Sequence, residues 1–118
     1  MNRDRSLSSA ETLKAFGHPT RLLILKELLG GVKCVTDIED LLESSQPNIS
    51  QHLTVLRHAA LVEYAQDGAL RCYYLTRPKL VRAMLRLLDT DEPIVMRTRE
   101  QIAAWKRRRR RASCKNTR

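Results

Sequence analysis

At 118 residues and a net charge of +9, the chain has room for one modest core and hardly for two. Aromatic residues make up only 4%, so the interior must be built from Leu, Ile, Val and Ala, which favours packed helices over a β-sandwich. No apolar run approaches the roughly 20 residues that span a bilayer, and Met1-Asn2-Arg3-Asp4-Arg5 carries no secretory pattern, so a cytoplasmic protein without a membrane partner is expected.

In chain order, residues 1–8 read as a flexible arm. Ser8 or Ser9 then caps a short helix to about Phe16, which Gly17-His18-Pro19 breaks. Pro19 and Thr20 open a second helix, apolar around most of its circumference through Leu22, Leu23, Ile24, Leu25, Leu28 and Leu29, as a helix at the centre of a small domain should be. Gly30-Gly31 ends it. Thr36 caps a third helix, with Glu39 closing a capping box and Ile38, Leu41 and Leu42 on its inner side.

A polar turn leads to the most informative stretch, Ser45-Gln46-Pro47-Asn48-Ile49-Ser50-Gln51-His52-Leu53-Thr54-Val55-Leu56-Arg57. At about 100° per residue Ile49, Leu53, Leu56 and Ala60 share one side, with Gln51, Thr54 and His58 opposite and Ser50 and Arg57 flanking. Short amides and hydroxyls of this kind reach base edges in a major groove, while the apolar edge anchors the helix to its own domain. An ordinary solvated face is the competing reading for this segment alone. His52 lies beside the apolar edge and is expected to pack, and His18 to make a local turn contact.

After Ala60 the apolar period changes from 3.6 to 2. Leu61–Ala65 and Leu70–Leu75 flank Gln66-Asp67-Gly68-Ala69, a hairpin signal. Arg77-Pro78 opens the last core helix, Pro93 interrupts, and a mostly polar helical segment is expected from Arg97 onward. The fold class is therefore mainly α with a small β-hairpin, a winged helix-turn-helix: an arm over 1–8, a DNA-binding and dimerisation domain over 9–92, and a basic tail, helical or disordered, over 93–118. The first and last core helices keep apolar surface after covering the core, which predicts a homodimer presenting two reading helices to two half-sites of double-stranded DNA.

The positive charge belongs to the tail. Before Trp105, Lys and Arg exceed Asp and Glu by one; from Trp105 onward there are eight basic residues and no acidic one, including Lys106-Arg107-Arg108-Arg109-Arg110-Arg111. Such a tail attracts polyanions, with a solubilising role as the alternative.

Three segments together resemble the ArsR/SmtB family of bacterial repressors over roughly residues 9–90: Leu13-Lys14-Ala15-Phe16-Gly17-His18-Pro19-Thr20-Arg21 with the Leu/Ile run after it, Ser45 through Arg57 followed by Ala60-Leu61-Val62, and Asp67-Gly68 with Tyr73 and Leu75. The resemblance implies a homodimeric repressor that leaves its operator when an inducer binds. The expected DNA contacts are Gln46, Asn48, Ser50, Gln51, Thr54 and Arg57, with Arg71 on the wing because Ala69 stands where most relatives carry Lys or Arg.

Arsenite- and soft-metal-sensing relatives carry Cys-Val-Cys-Asp-Leu where this chain has Cys34-Val35-Thr36-Asp37-Ile38, so one thiolate is kept. As(III) or another thiophilic metal needs about three or four ligands; Cys72 and Cys114 are the candidates to join Cys34. The acidic and histidine ligands of zinc-sensing relatives are missing from residues 79–88. A redox pair involving Cys34, or cysteines that are merely small buried residues, are the other readings. No nucleophile–base constellation or phosphate loop points to an enzyme. The rival function is an architectural or nonspecific nucleic-acid-binding protein acting through Arg107–Arg111.

Overall fold

A computed structural model describes residues 2–42 and 46–116. Among them are six helices and three strands: α1 (Arg3–Phe16), α2 (Pro19–Leu28), β1 (Lys33–Cys34), α3 (Val35–Leu42), α4 (Gln46–His58), β2 (Val62–Asp67), β3 (Leu70–Leu75), α5 (Pro78–Leu88) and α6 (Arg99–Asn116). The order is that of a winged helix-turn-helix. The turn between α3 and α4 lies outside the described residues.

One core serves every element but β1 and α6. Phe16 of α1, Ile24 and Leu25 of α2, Ile38 of α3, Ile49, Leu53 and Leu56 of α4, Tyr73 of β3 and Val81 of α5 are all buried in it. Each fully buried aliphatic side chain is worth about 1.5–3 kcal/mol. The three on α4 therefore outweigh any intrinsic helix preference of that polar segment, and tertiary packing holds the helix.

Helix α1 starts at Arg3, several residues earlier than Ser8 or Ser9. The reason is local: the Asn2 side chain accepts a hydrogen bond from the Arg5 N–H at 2.8 Å, and Asp4 sits in the first turn, where the helix dipole favours an acid. The capping of α3 also differs from the Thr36–Glu39 box. Asp37 Oδ2 accepts from the Cys34 N–H at 3.1 Å, while Glu39 Oε1 is buried without a partner among the described residues. The box that does form is at α6, where Thr98 Oγ1 accepts from the Gln101 N–H at 3.2 Å and Gln101 Oε1 accepts from the Thr98 N–H at 2.9 Å.

The hairpin's second strand lies where the alternation places it, but the first runs over Val62–Asp67 rather than Leu61–Ala65, pairing Gln66 with Arg71 and Asp67 with Leu70 and leaving a tight turn at Gly68 with φ of 62°. The same register pairs Tyr64 with Tyr73, whose rings sit 5.4 Å apart, and the Thr76 hydroxyl donates to the Ala60 carbonyl at 2.7 Å across the hairpin's base. The two-residue β1 adds a third, antiparallel strand beside β3, giving the order β1-β3-β2 and pairing Cys34 with Cys72. Beyond α5, residues 91–98 run without regular structure to α6, which makes no extensive contact with any other element and stretches the molecule to 71 Å.

Helix α4 stops because Ala60 adopts a left-handed backbone, with φ of 58°. That conformation costs a residue with a Cβ about 1–2 kcal/mol, and glycine adopts it freely. Ala60→Gly should therefore raise stability by about 0.5–1 kcal/mol after glycine's extra unfolded-state entropy is subtracted, and Ala60→Val should lower it. Urea unfolding followed by circular dichroism reads both; a less stable glycine variant would show that the Ala60 methyl matters more than its backbone.

Candidate nucleic-acid interface

Helix α4 divides cleanly. Ile49, Leu53 and Leu56 are fully buried, whereas Asn48, Ser50, Gln51, Thr54, Arg57 and His58 are exposed. The polar face anticipated from the 3.6 period is thus exposed on the surface. Gln51 lies near its centre and makes no side-chain hydrogen bond among the described residues. The Thr54 hydroxyl donates back to the Ser50 carbonyl at 2.9 Å, which leaves its methyl outward. Gln46 is the first residue of α4, and its side chain lies outside the described residues.

Arg57 and Arg71, which are far apart in sequence, meet around one ring. The guanidinium of Arg57 lies 4.7 Å from the centroid of Tyr64 and that of Arg71 4.6 Å. Arg57 also bridges to Glu63 at 2.7 Å, and this contact raises the arginine's pKa while Glu63 is lowered, first by the Tyr64 N–H and then by Arg57. Both partners are about two-fifths exposed, so the pair contributes little stability; it orients the guanidinium at the seam between α4 and the wing.

Periodicity alone did not single out Val55, which is 40% exposed on the flank of the reading face. An apolar side chain there fits contact with a thymine methyl. Its signal in the sequence was an apolar residue off the Ile49–Leu53–Leu56 edge.

A second group, whose link through Arg21 sequence reasoning missed, fixes the back of α4. Arg21 donates to the Ala15 carbonyl at 2.7 Å and the Lys14 carbonyl at 3.1 Å, closing the end of α1, and its third contact is His52 Nδ1 at 3.3 Å. His52 is buried, with its ring 4.2 Å from that of His18, and His18 Nδ1 accepts from the Thr20 N–H as the cap of α2. Three helices are joined through these side chains. The packing role expected for His52 and the turn contact expected for His18 are both present.

The cysteines divide in two. Cys34 and Cys72, both half-buried, sit side by side with Sγ atoms 2.6 Å apart, and Cys114 lies in the last turns of α6 with its side chain outside the described residues. The hydrogen bond with Cys72, burial and the negative charges around the site push the Cys34 thiol up to about 11. Among the described residues no three His, Cys, Asp or Glu side chains are grouped to hold a metal ion. The thiol pair offers two soft donors to a thiophilic group, so a three-thiolate site needs Cys114.

A buried helix edge with a polar outer face, a β-hairpin beside it and arginines at their seam define a winged helix-turn-helix transcriptional regulator. The profile of the bacterial regulatory proteins of the arsR family matches residues 18–64. An uncharacterized HTH-type transcriptional regulator of Methanocaldococcus jannaschii is 43% identical over 82 residues, which cover 69% of this chain and 91% of that protein. The biofilm growth-associated repressor of Xylella fastidiosa is 34% identical over 91 residues, covering 75% and 80%. Among solved structures, HlyU from Vibrio cholerae superposes with a TM-score of 0.67 at 34% identity, covering 74% of this chain and 94% of that one, and the transcriptional repressor PagR of Bacillus anthracis with 0.64 at 32%, covering 74% and 99%. The chain belongs to the arsR family; it is a DNA-binding transcriptional repressor and not an enzyme. No helix among the described residues is long and apolar enough to cross a membrane.

His52 yields a pH test. Burial first, then His18 and Arg21, hold its pKa below the usual histidine range. The folded state thus binds the proton less readily than the unfolded chain, so stability is full above about pH 6.5 and falls as the pH drops below it. Urea midpoints measured between about pH 7.5 and 5.5 should decline toward acid in the native chain and decline less in His52→Gln. Equal slopes would show that His52 is not the titrating group.

Proposed function

We propose that the chain represses transcription as a homodimer, reading its operator with the outer face of α4 and clamping the adjacent backbone with the wing. The observation that carries this reading is the exposed polar face of α4 on a fully buried apolar edge. On this reading Gln51, Asn48 and Thr54 meet base edges, Val55 a thymine methyl, and Ser50, Arg57 and Arg71 phosphates or flanking bases. Exposed Leu13 on α1 and Leu87 and Leu88 on α5, together with a cleft between these helices lined by Ser8, Ser9, Thr12, Leu13, Leu80 and Met84, support dimerisation there. A two-fold dimer sets two α4 helices on successive major grooves.

Gln51→Ala tests the reading helix. On DNA from upstream of the protein's own gene the loss should be about 1–3 kcal/mol, roughly a 5- to 150-fold weakening, while binding to random DNA hardly changes. Fluorescence anisotropy on both duplexes measures this. Equal losses on the two would take the reading role away from α4.

The inducer acts, on this reading, at the thiols. A thiophilic metalloid such as As(III) would meet Cys34 and Cys72 together, with Cys114 of either protomer as a third ligand, and binding would release the protons these thiols hold. Release from DNA requires that the ligand bind the DNA-incompetent form more tightly. Cys34→Ser should still bind the operator but no longer be released by As(III), Cd(II) or Zn(II); release that persists in the variant with every agent places the inducer site elsewhere.

A further inference from the structure

We propose that Cys34 and Cys72 form a dithiol modification site, oxidised by a hydroperoxide to a cross-strand disulfide that joins the wing to the start of the helix-turn-helix and weakens operator binding. The consequence for DNA rests on the repressor reading above; the chemistry of the pair does not. The two cysteines are register partners on antiparallel strands, β1 and β3. Such partners have Cα atoms about 4.5–5.5 Å apart, inside the roughly 4.4–6.8 Å span of disulfides. Their sulfurs are already in contact. No rearrangement of the backbone is needed to bring them together, and both side chains are half-buried, within reach of a small molecule.

The surroundings select the oxidant. The Asp37 carboxylate is bonded to the Cys34 backbone N–H, so an acid stands beside the pair and disfavours anionic reagents. A neutral hydroperoxide, ROOH, meets no such barrier. One sulfur attacks the O–O bond, giving a sulfenic acid and releasing ROH. The other then attacks the sulfenic sulfur, forming the S–S bond and expelling its oxygen as water. The net change is two thiols and ROOH to one disulfide, ROH and water; the sulfurs lose two electrons and the peroxide gains them.

The mechanical effect follows from what the strands carry. Cys34 is followed directly by Val35, the first residue of α3, and α3 packs on α4. Cys72 lies mid-way along the strand that leads away from the wing tip. In the thiol state β1 is a two-residue strand, a weak joint that lets the wing and α4 adjust to one half-site together. The covalent bond removes that freedom and locks the start of α3 to β3, so the two DNA-contacting elements can no longer adjust to the same half-site.

The test uses the full chain, reduced and then treated with hydrogen peroxide. Tryptic mapping without reductant should recover the Cys34 and Cys72 peptides joined, two mass units lighter than their sum, and operator affinity on the same sample should fall at least ten-fold and return with dithiothreitol. Cys114→Ser should keep the linkage and the response, and Cys34→Ser should lose both. Free Cys34 and Cys72 thiols after treatment, over-oxidation to sulfinic acids, or linkage of either to Cys114 overturns the modification site. A disulfide with unchanged affinity overturns the switch. If the reduced chain does not distinguish operator from random DNA, it is the repressor reading that fails, and peptide mapping still decides the chemistry.

Discussion

Everything in this protein depends on the burial of one edge of α4. A helix with Gln, Ser, Asn and Thr over most of its surface has little reason to hold its shape or position in water. Ile49, Leu53 and Leu56 supply that reason, because each is wholly buried in the core that α4 shares with α1, α2, α3 and the hairpin. Since the same helix carries the outward groups, the packing energy of the core fixes the rotation of the reading face. The Arg21–His52 contact reinforces this from behind: it uses one guanidinium to finish α1 and to steady α4 in the same geometry. A small domain with a thin aromatic content thus concentrates its few polar anchors where a rotation error would be most damaging.

Much of this was legible in the sequence, for identifiable reasons. Pro19 and Pro78 announced helix starts, Asp67-Gly68 announced the turn, and the change of apolar period after Ala60 separated helix from hairpin. What escaped was structure without a periodic signature. A two-residue strand such as β1 has no alternation to detect, and it exists only because β3 offers it an edge. The adjacency of Cys34 and Cys72 depends on that strand, so the sequence offered Cys72 only as one of two candidate partners for Cys34 and could not choose between them. Thr36 and Glu39 matched a capping box in spacing, yet Asp37 satisfies the Cys34 N–H instead, because the helix begins at Val35, two residues earlier than a Thr36 cap would place it. Of the candidate site, the face around Gln51 was readable from period alone. The meeting of Arg57 and Arg71 over Tyr64 was not, because it depends on how the wing folds against the end of α4.

The seam between α4 and the wing brings recognition and support into a single cluster. Tyr64 holds two arginines by its ring and stacks near Tyr73 in the core, so these cationic groups rest on a surface continuous with the packed interior. Long basic side chains lose substantial rotamer freedom when they grip a phosphate. Holding them beforehand on an aromatic face reduces what is lost on contact.

The separation of α6 from the body has a kinetic meaning. The winged domain is close to electrically neutral, while the positive charge sits on a helix reached through the irregular residues 91–98. Long-range attraction governs how fast a protein and a polyanion find each other, and short-range complementarity governs how long they stay. On the proposed reading the two properties reside on different parts of the molecule: α6 governs the rate of encounter, which falls steeply with ionic strength, and α4 the lifetime of a correct complex, which changes with sequence. Arrival and residence can therefore be tuned independently, each by substitutions that leave the other untouched.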